Sequence, residues 1–483
     1  MTIKDLEPKD LWNNFYSLTQ CPRPSKHEEA VRDFLVNWAK ERNIECHVDE
    51  VGNIIMRKPA TPGMENRRPV VLQAHIDMVP QARAGKVHDF LKDPIETKIV
   101  GDWVYACDTT LGADNGMGVA AAMAVLESKT MKHGPIEALL TTDEETGMTG
   151  AFGLKPDVLQ GEFLLNLDSE TEGELYVGCA GGIDATMKFN YTMENAPTNY
   201  CACKLTIGGL KGGHSGMDIN TGRANANKLL FRHLRWVAEC GIRLIEVEGG
   251  SLRNAIPRDA HLTFAMPKEH KECILNEFDK VANWIKKEIN TVEPDFFMKY
   301  EDIEMPQQVM SDTDTQRIIN IVMVVPNGVI RMSRDMEGLV ETSLNVATLN
   351  TTDGTFVIKA LLRSSVDTAK EALAERLVCL AELAGGTCDL TGAYPGWKPN
   401  MESSLLKTMK EVYNNLYGKE PSIMAIHAGL ECGLLGGTYP NMEMISFGPT
   451  LNNPHSPDER CNIPSTQKFY DYLVAVLESI PTK

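Results

Sequence analysis

Three short apolar runs in the first third of the chain, RRPVVLQAH (67–75), IEALLTT (136–142) and EFLLNLDSE (162–170), do most to restrict the fold. Each is too short for a helix, nearly unbroken by polar residues, and ends in or runs directly into groups that can bind a metal or a proton. EEAVRDFLVNWAKER (28–42), with helical periodicity, precedes them, and GADNGMGVAAAMAVLES (112–128), which opens a helix rich in Gly and Ala, lies between the first two. Strands that alternate with helices and are apolar on both faces predict an α/β sheet that is mixed but mainly parallel, set between helices. Ligands of such sheets bind beyond the carboxyl ends of the strands, which is where His75, Glu145 and Asp168 fall.

Two more groups of the same chemistry follow the pattern: Asp114 in GADNG and His455 in NNPHSPDE. Imidazole and carboxylate together suit zinc, and a carboxylate that spans two ions is the centre of a two-metal hydrolase. Asp114 is the candidate bridge, because the glycines on either side, Gly112 and Gly116, allow the backbone a crowded path there. His75 and Asp77 are one residue apart, so in an extended chain they project to the same side, and Asp77 is placed to orient the imidazole. The TTDEETG run offers Asp143, Glu144 and Glu145. Hydrolysis of an amide needs one acid that shuttles a proton and does not bind metal, and spacing alone does not say which of the neighbours is base and which is ligand.

Composition narrows the partners. With 48 basic and 66 acidic residues in 483, the net charge of −18 opposes binding to nucleic acid or to an anionic membrane through a broad surface field. The start, MTIKDLEPKDLWNNF, lacks the basic and apolar regions of an export signal, and no apolar run approaches a membrane span, so a cytoplasmic, soluble protein is expected. The 12 cysteines show no small-domain framework and are read as reduced thiols.

After GCAGGID (178–184) the pattern changes to alternating strands such as CKLTIGG, AHLTFAM and FVIKALLR, interleaved with helices such as KECILNEFDKVANWIKKEI. This is α+β. NAIPRDAHLTFAMPKEHKECILNEF and NVATLNTTDGTFVIKALLRSSVDTAKEALAERL each run strand then helix after an Asn, a weak internal duplication. The α/β style returns after AYPGWKPN, so the expected organisation is a discontinuous catalytic domain, 1–186 and 394–483, with an inserted lid over 187–393.

At this point the chain resembles the M20 family of metallopeptidases and, within it, the aminoacyl-histidine dipeptidases. The resemblance runs through RRPVVLQAHIDMVP, TTLGADNGMGVA, EETGM, LDSETEGELYVGCAGGID, GLKGGHSGMDI, GGSLRNAIPR, GAYPGW, HAGLECGLL and GPTLNNPHSPDE. It implies two divalent ions, zinc or else manganese or cobalt, with Asp114 bridging, Glu145 and His455 on one ion and His75 and Asp168 on the other. Glu144 becomes the general base and acid, with Asp77 behind His75. On the lid, His214 is implied to stabilise the oxyanion, and Asn254 and Arg363 to hold the backbone and free carboxylate of the substrate; GAYPGW and HAGLE, with His427, are implied as wall segments. The implied reaction is hydrolysis of dipeptides, Xaa-His such as β-alanyl-histidine among them; a tripeptidase or an N-acyl amino acid deacylase is the alternative. Monomer and homodimer are both compatible with a long lid.

Overall fold

The computed structural model describes residues 2–483, which form two compact units. The first comprises residues up to Cys179 together with Pro399–Ala425 and Leu430–Lys483, and the second Ala180–Lys398 with Ile426–Gly429. The second unit opens earlier than the change of sequence style suggests, because Gly181–Asn190 is one continuous strand of its sheet.

In the first unit an eight-stranded sheet is built from β1 (Glu45–Val48), β2 (Ile54–Lys58), β3 (Val70–His75), β4 (Ile136–Thr141), β5 (Phe163–Asn166), β6 (Glu174–Cys179), β7 (Ser422–Ile426) and β8 (Glu443–Ser446), in the order β1-β2-β4-β3-β5-β8-β6-β7. Its centre is parallel: β3 pairs with β4 and β5, and β8 with β5. Every residue of β3, β4 and β5 is buried, which is why these runs carry no alternation. The helix Ala113–Glu127 is almost wholly buried, as its Ala and Gly content permits. A separate four-stranded sheet, in the order Leu451–Asn452, Arg460–Asn462, Trp103–Ala106, Thr97–Val100, holds the loop that carries His455.

The second unit is α+β, an antiparallel nine-stranded sheet with helices packed into its core. Its chain path repeats. Tyr200–Gly208, helix Ala226–Val237, Arg243–Gly249, Ala260–Pro267, helix Lys271–Ile289 and Phe297–Ile303 form one βαββαβ half, its strands ordered 4-1-3-2 in the sheet. Gly181–Asn190, helix Asp312–Val324, Val340–Thr352, Thr355–Ser364, helix Asp367–Leu383 and Thr387–Tyr394 form the second, ordered 2-3-1-4, so the first half sits in the chain between the opening strand and first helix of the second. The halves join through their second strands, Glu248 opposite Asn350 and Gly249 opposite Leu349. The two segments that look alike in sequence contain, in each half, the third strand and the second helix.

Candidate metal centre and catalytic groups

Three central strands deliver polar groups at their carboxyl ends. His75 is the last residue of β3, Glu145 lies in the single helical turn Glu144–Gly147 after β4, and Asp168 follows β5. Asp114 and His455 arrive otherwise, the first from the start of the helix Ala113–Glu127 and the second from a loop where its own φ is +57°. All five sequence-selected ligands of the first unit come together. His75 Nε2 lies 3.1 Å from Asp114 Oδ1 and 3.3 Å from Asp168 Oδ1, while His455 Nε2 lies 3.1 Å from Asp114 Oδ2 and 3.0 Å from Glu145 Oε2. Asp114 thus stands between the imidazoles, one oxygen toward each.

The electrostatics of this cluster ask for cations. Among the described residues, Asp114, Glu145 and Asp168 form no ion pair with a lysine or arginine, and Glu145 Oε1 is buried without a hydrogen-bond partner. Close carboxylates in low dielectric repel and must be neutralised by protons or metal. Within the cluster the imidazoles take up protons: hydrogen bonds donated to Asp114 and Glu145 push His455 up to about 11, and His75, lowered by burial alone, is raised well above its ordinary value by Asp168, Asp114 and Asp77. Burial raises Asp168 to about 6 against the pull of His75. Ligand atoms of His75, Asp114 and Glu145 lie within 4.8 Å of one another, and a mixed His and carboxylate set is the chemistry of a zinc or similar divalent site.

Asp77 is wholly buried behind His75, Oδ1 3.2 Å from Nδ1. Its oxygens also accept the Ser25 hydroxyl (2.8 Å) and the backbone N–H groups of Glu144 (3.1 Å) and Glu145 (3.2 Å). Burial alone would raise this carboxyl, but His75, Ser25 and the Glu144 N–H bring it down to about 2. Asp143, which sequence spacing leaves as an alternative in the acidic triplet, instead accepts the hydroxyls of Thr146 and Thr149. Glu144 carries no hydrogen bond to the five ligands, and its carboxyl is raised well above the ordinary range by burial, with His75 opposing and Asp168, Glu431 and Glu145 adding.

The second unit gathers its own polar set. His214 Nδ1 accepts the N–H groups of Gly216 (3.2 Å) and Met217 (3.0 Å), which places the ring proton on Nε2. Burial, then Arg363, lowers its pKa, so the ring is a neutral donor at pH 7. Arg363 is 5% exposed, bonded to Ser215 Oγ (3.3 Å) and Tyr394 Oη (3.1 Å), and forms no ion pair among the described residues. Asn254 accepts the Ser215 N–H on its carbonyl at 2.8 Å, and His427 Nε2 lies 2.7 Å from Ser343 Oγ.

Sequence reading passed over several buried acids near the centre. Glu431 accepts from Gln73 Nε2 (2.7 Å) and Thr141 Oγ1 (2.8 Å), and Glu459 accepts the N–H groups of Leu111 to Asp114. Both stand in motifs given above, HAGLE and NNPHSPDE, beside His427 and His455.

A sheet with a parallel centre that brings His75, Glu145 and Asp168 to its strand ends, met there by Asp114 from a helix start and His455 from a loop, with the acid Glu144 close by, is the architecture of a metal-assisted hydrolase. The chain belongs to peptidase family M20/M25/M40, whose profile matches residues 71–479, and it is a peptide hydrolase. It is 46% identical over 482 residues to the cytosol non-specific dipeptidase of Escherichia coli, covering 100% of this chain and 99% of the relative. Among solved structures, an aminoacylhistidine dipeptidase from Vibrio alginolyticus is 50% identical with a TM-score of 0.96, covering 100% of this chain and 99% of the other. An aminopeptidase from Bacillus cereus, 17% identical with a TM-score of 0.56 over 98% of this chain and 99% of its own, shares the fold. Among the described residues, no helix is long and apolar enough to cross a membrane.

Proposed function

We propose that this chain is a cytosolic dipeptidase that uses two divalent metal ions, with Xaa-His dipeptides such as β-alanyl-histidine among its substrates. The carrying observation is the division of labour between neighbours: Glu145 Oε2 reaches His455 in the cluster, whereas Glu144 stands half-buried beside the ligands without joining them. Asp114 would bridge the ions, with His75 and Asp168 on one and Glu145 and His455 on the other. Ions held there supply Lewis acidity toward the scissile carbonyl and toward water.

Glu144 is the proton carrier. An acid raised by burial and like charges can accept a proton from the attacking water and return it to the leaving amine. His214, neutral with its proton on Nε2, is assigned to the developing oxyanion, and the buried guanidinium of Arg363 to the terminal carboxylate of the substrate. Asn254, in the loop that bonds Ser215, is assigned to the substrate backbone. The relatives named as dipeptidases support the substrate class, and the Vibrio alginolyticus protein supports histidine at the second position.

The test is hydrolysis of Xaa-His and other dipeptides, tripeptides and N-acyl amino acids, with metal content measured on the same sample. Dipeptide turnover that rises with bound metal to two equivalents is expected. Faster hydrolysis of tripeptides or N-acyl amino acids than of any dipeptide would overturn the reading.

A further inference from the structure

Glu459 lies four residues beyond His455 and is 2% exposed, and neither oxygen meets a lysine or arginine at ion-pair distance among the described residues. Both oxygens are instead spent on backbone. Oε2 accepts the N–H of Leu111 (2.7 Å) and Gly112 (3.0 Å), and Oε1 those of Ala113 (2.7 Å) and Asp114 (3.3 Å). Four consecutive N–H groups converging on one carboxylate make an anion nest, and the left-handed φ of +68° at Gly112 is what curls the backbone around it. A side chain there would be strained by that φ and would crowd its neighbours, since a Cβ on Gly112 would sit 2.6 Å from Arg23 Nη2 and 2.7 Å from Met78 Sδ. Arg23, itself 2% exposed, completes the brace by donating to the carbonyls of Ile76 (3.0 Å), Asp77 (2.9 Å) and Gly112.

The segment so held begins the helix on which Asp114 sits, and Asp114 is the residue whose two oxygens face the two imidazoles. An Asp at this point could point elsewhere by a small rotation of the loop. The nest removes that freedom, and it does so from the segment that also supplies His455.

We propose that Glu459 is a positioning residue of the metal centre: by filling the nest from Leu111 to Asp114 it locks Asp114 between His75 and His455 and thereby sets metal affinity. The inference rests on the reading of Asp114 as bridging ligand. Glu459→Gln tests it sharply, because the amide has nearly the same size but turns an NH₂ group toward two N–H donors that need an acceptor. A plain packing role would tolerate that exchange.

The experiment uses the full chain stripped of metal and titrated with zinc against a chromogenic chelator, with zinc-induced rise in melting temperature as second readout. Glu459→Gln is expected to bind zinc about 10- to 100-fold more weakly than wild type, the usual scale for loss of a partner that orients a ligand. Glu459→Asp keeps the charge but reaches fewer N–H groups, and should fall between the two. In an Asp114→Ala background Glu459→Gln should change zinc affinity by less than about twofold, since the residue it positions is gone. Zinc affinity in Glu459→Gln within about threefold of wild type, while Asp114→Ala loses it, overturns the inference and leaves the metal site standing; if Glu459→Gln fails to fold, the same threshold applied to Glu459→Asp decides. Equal zinc binding by wild type and Asp114→Ala would instead overturn the reading of Asp114 on which the inference rests.

Discussion

Asp77 Oδ1 lies 3.2 Å from His75 Nδ1, and the opposite ring nitrogen faces Asp114 and Asp168. The carboxylate fixes both the tautomer and the angle of the imidazole. The same carboxylate holds the backbone N–H groups of Glu144 and Glu145, so one buried acid aligns a ligand from β3 and the proposed base and ligand after β4. Asp77→Asn should therefore weaken zinc binding by about 10- to 100-fold and lower kcat as well. Chelator competition and steady-state kinetics on the same preparation check this; an effect on kcat with unchanged zinc affinity would contradict the orienting role.

Glu144→Gln separates the two neighbouring acids. The amide cannot carry the proton, while the five proposed ligands are untouched. Zinc stoichiometry should stay at the wild-type value and kcat should fall about 10²- to 10⁴-fold, the range for a lost general acid–base. Glu145→Gln should show the reverse order, with metal lost first. Elemental analysis beside single-turnover hydrolysis distinguishes them.

How far the sequence was legible depended on the range of the interaction. His75, Glu145 and Asp168 could be placed because a buried parallel strand leaves a local signature, an unbroken apolar run, and the ligand stands at its end. Asp114 and His455 do not end such a run; they were drawn in by their chemistry and, for Asp114, by the flanking Gly112 and Gly116, and the family resemblance then assigned their partners. Spacing alone left base and ligand open between Glu144 and Glu145, and the family resemblance set aside Asp143, whose carboxylate accepts the hydroxyls of Thr146 and Thr149. Glu459 was passed over because its partners are backbone N–H groups 345 to 348 positions away, which leave no trace in side-chain pattern. The two βαββαβ halves were visible only as a faint strand-helix echo, because a fold repeat constrains burial and hydrogen bonding far more than residue identity.

The role proposed for Arg363 rests on a buried guanidinium held by Ser215 and Tyr394 through Nε and Nη1 and without a carboxylate partner among the described residues. Arg363→Ala should raise KM for a dipeptide with a free terminal carboxylate by about 10-fold or more, with a far smaller change for the C-terminal amide. Paired kinetics on the two substrates give the answer. Equal loss on both would assign Arg363 to packing.

His233 makes the stability of the second unit depend on acid. The ring is buried in the helix Ala226–Val237, donates from Nδ1 to the Leu229 carbonyl at 2.9 Å and meets the edge of Phe278; Nε2 has no hydrogen-bond partner, and burial lowers its pKa to about 4. The unfolded chain protonates this ring near pH 6.5, so between pH 6.5 and 4 it binds a proton that the folded unit refuses. Stability is therefore complete above pH 6.5 and is lost as the pH falls toward 4, by up to about 3 kcal/mol for a shift of this size at about 1.4 kcal/mol per pH unit. His427, lowered to about 3 by burial with Arg363 and His214 adding, acts in the same direction. His233→Phe has no proton to gain and keeps a ring against Phe278, so urea midpoints measured at pH 7 and pH 4.5 should differ less than in wild type. An unchanged difference would mean that other groups carry the acid sensitivity of this unit.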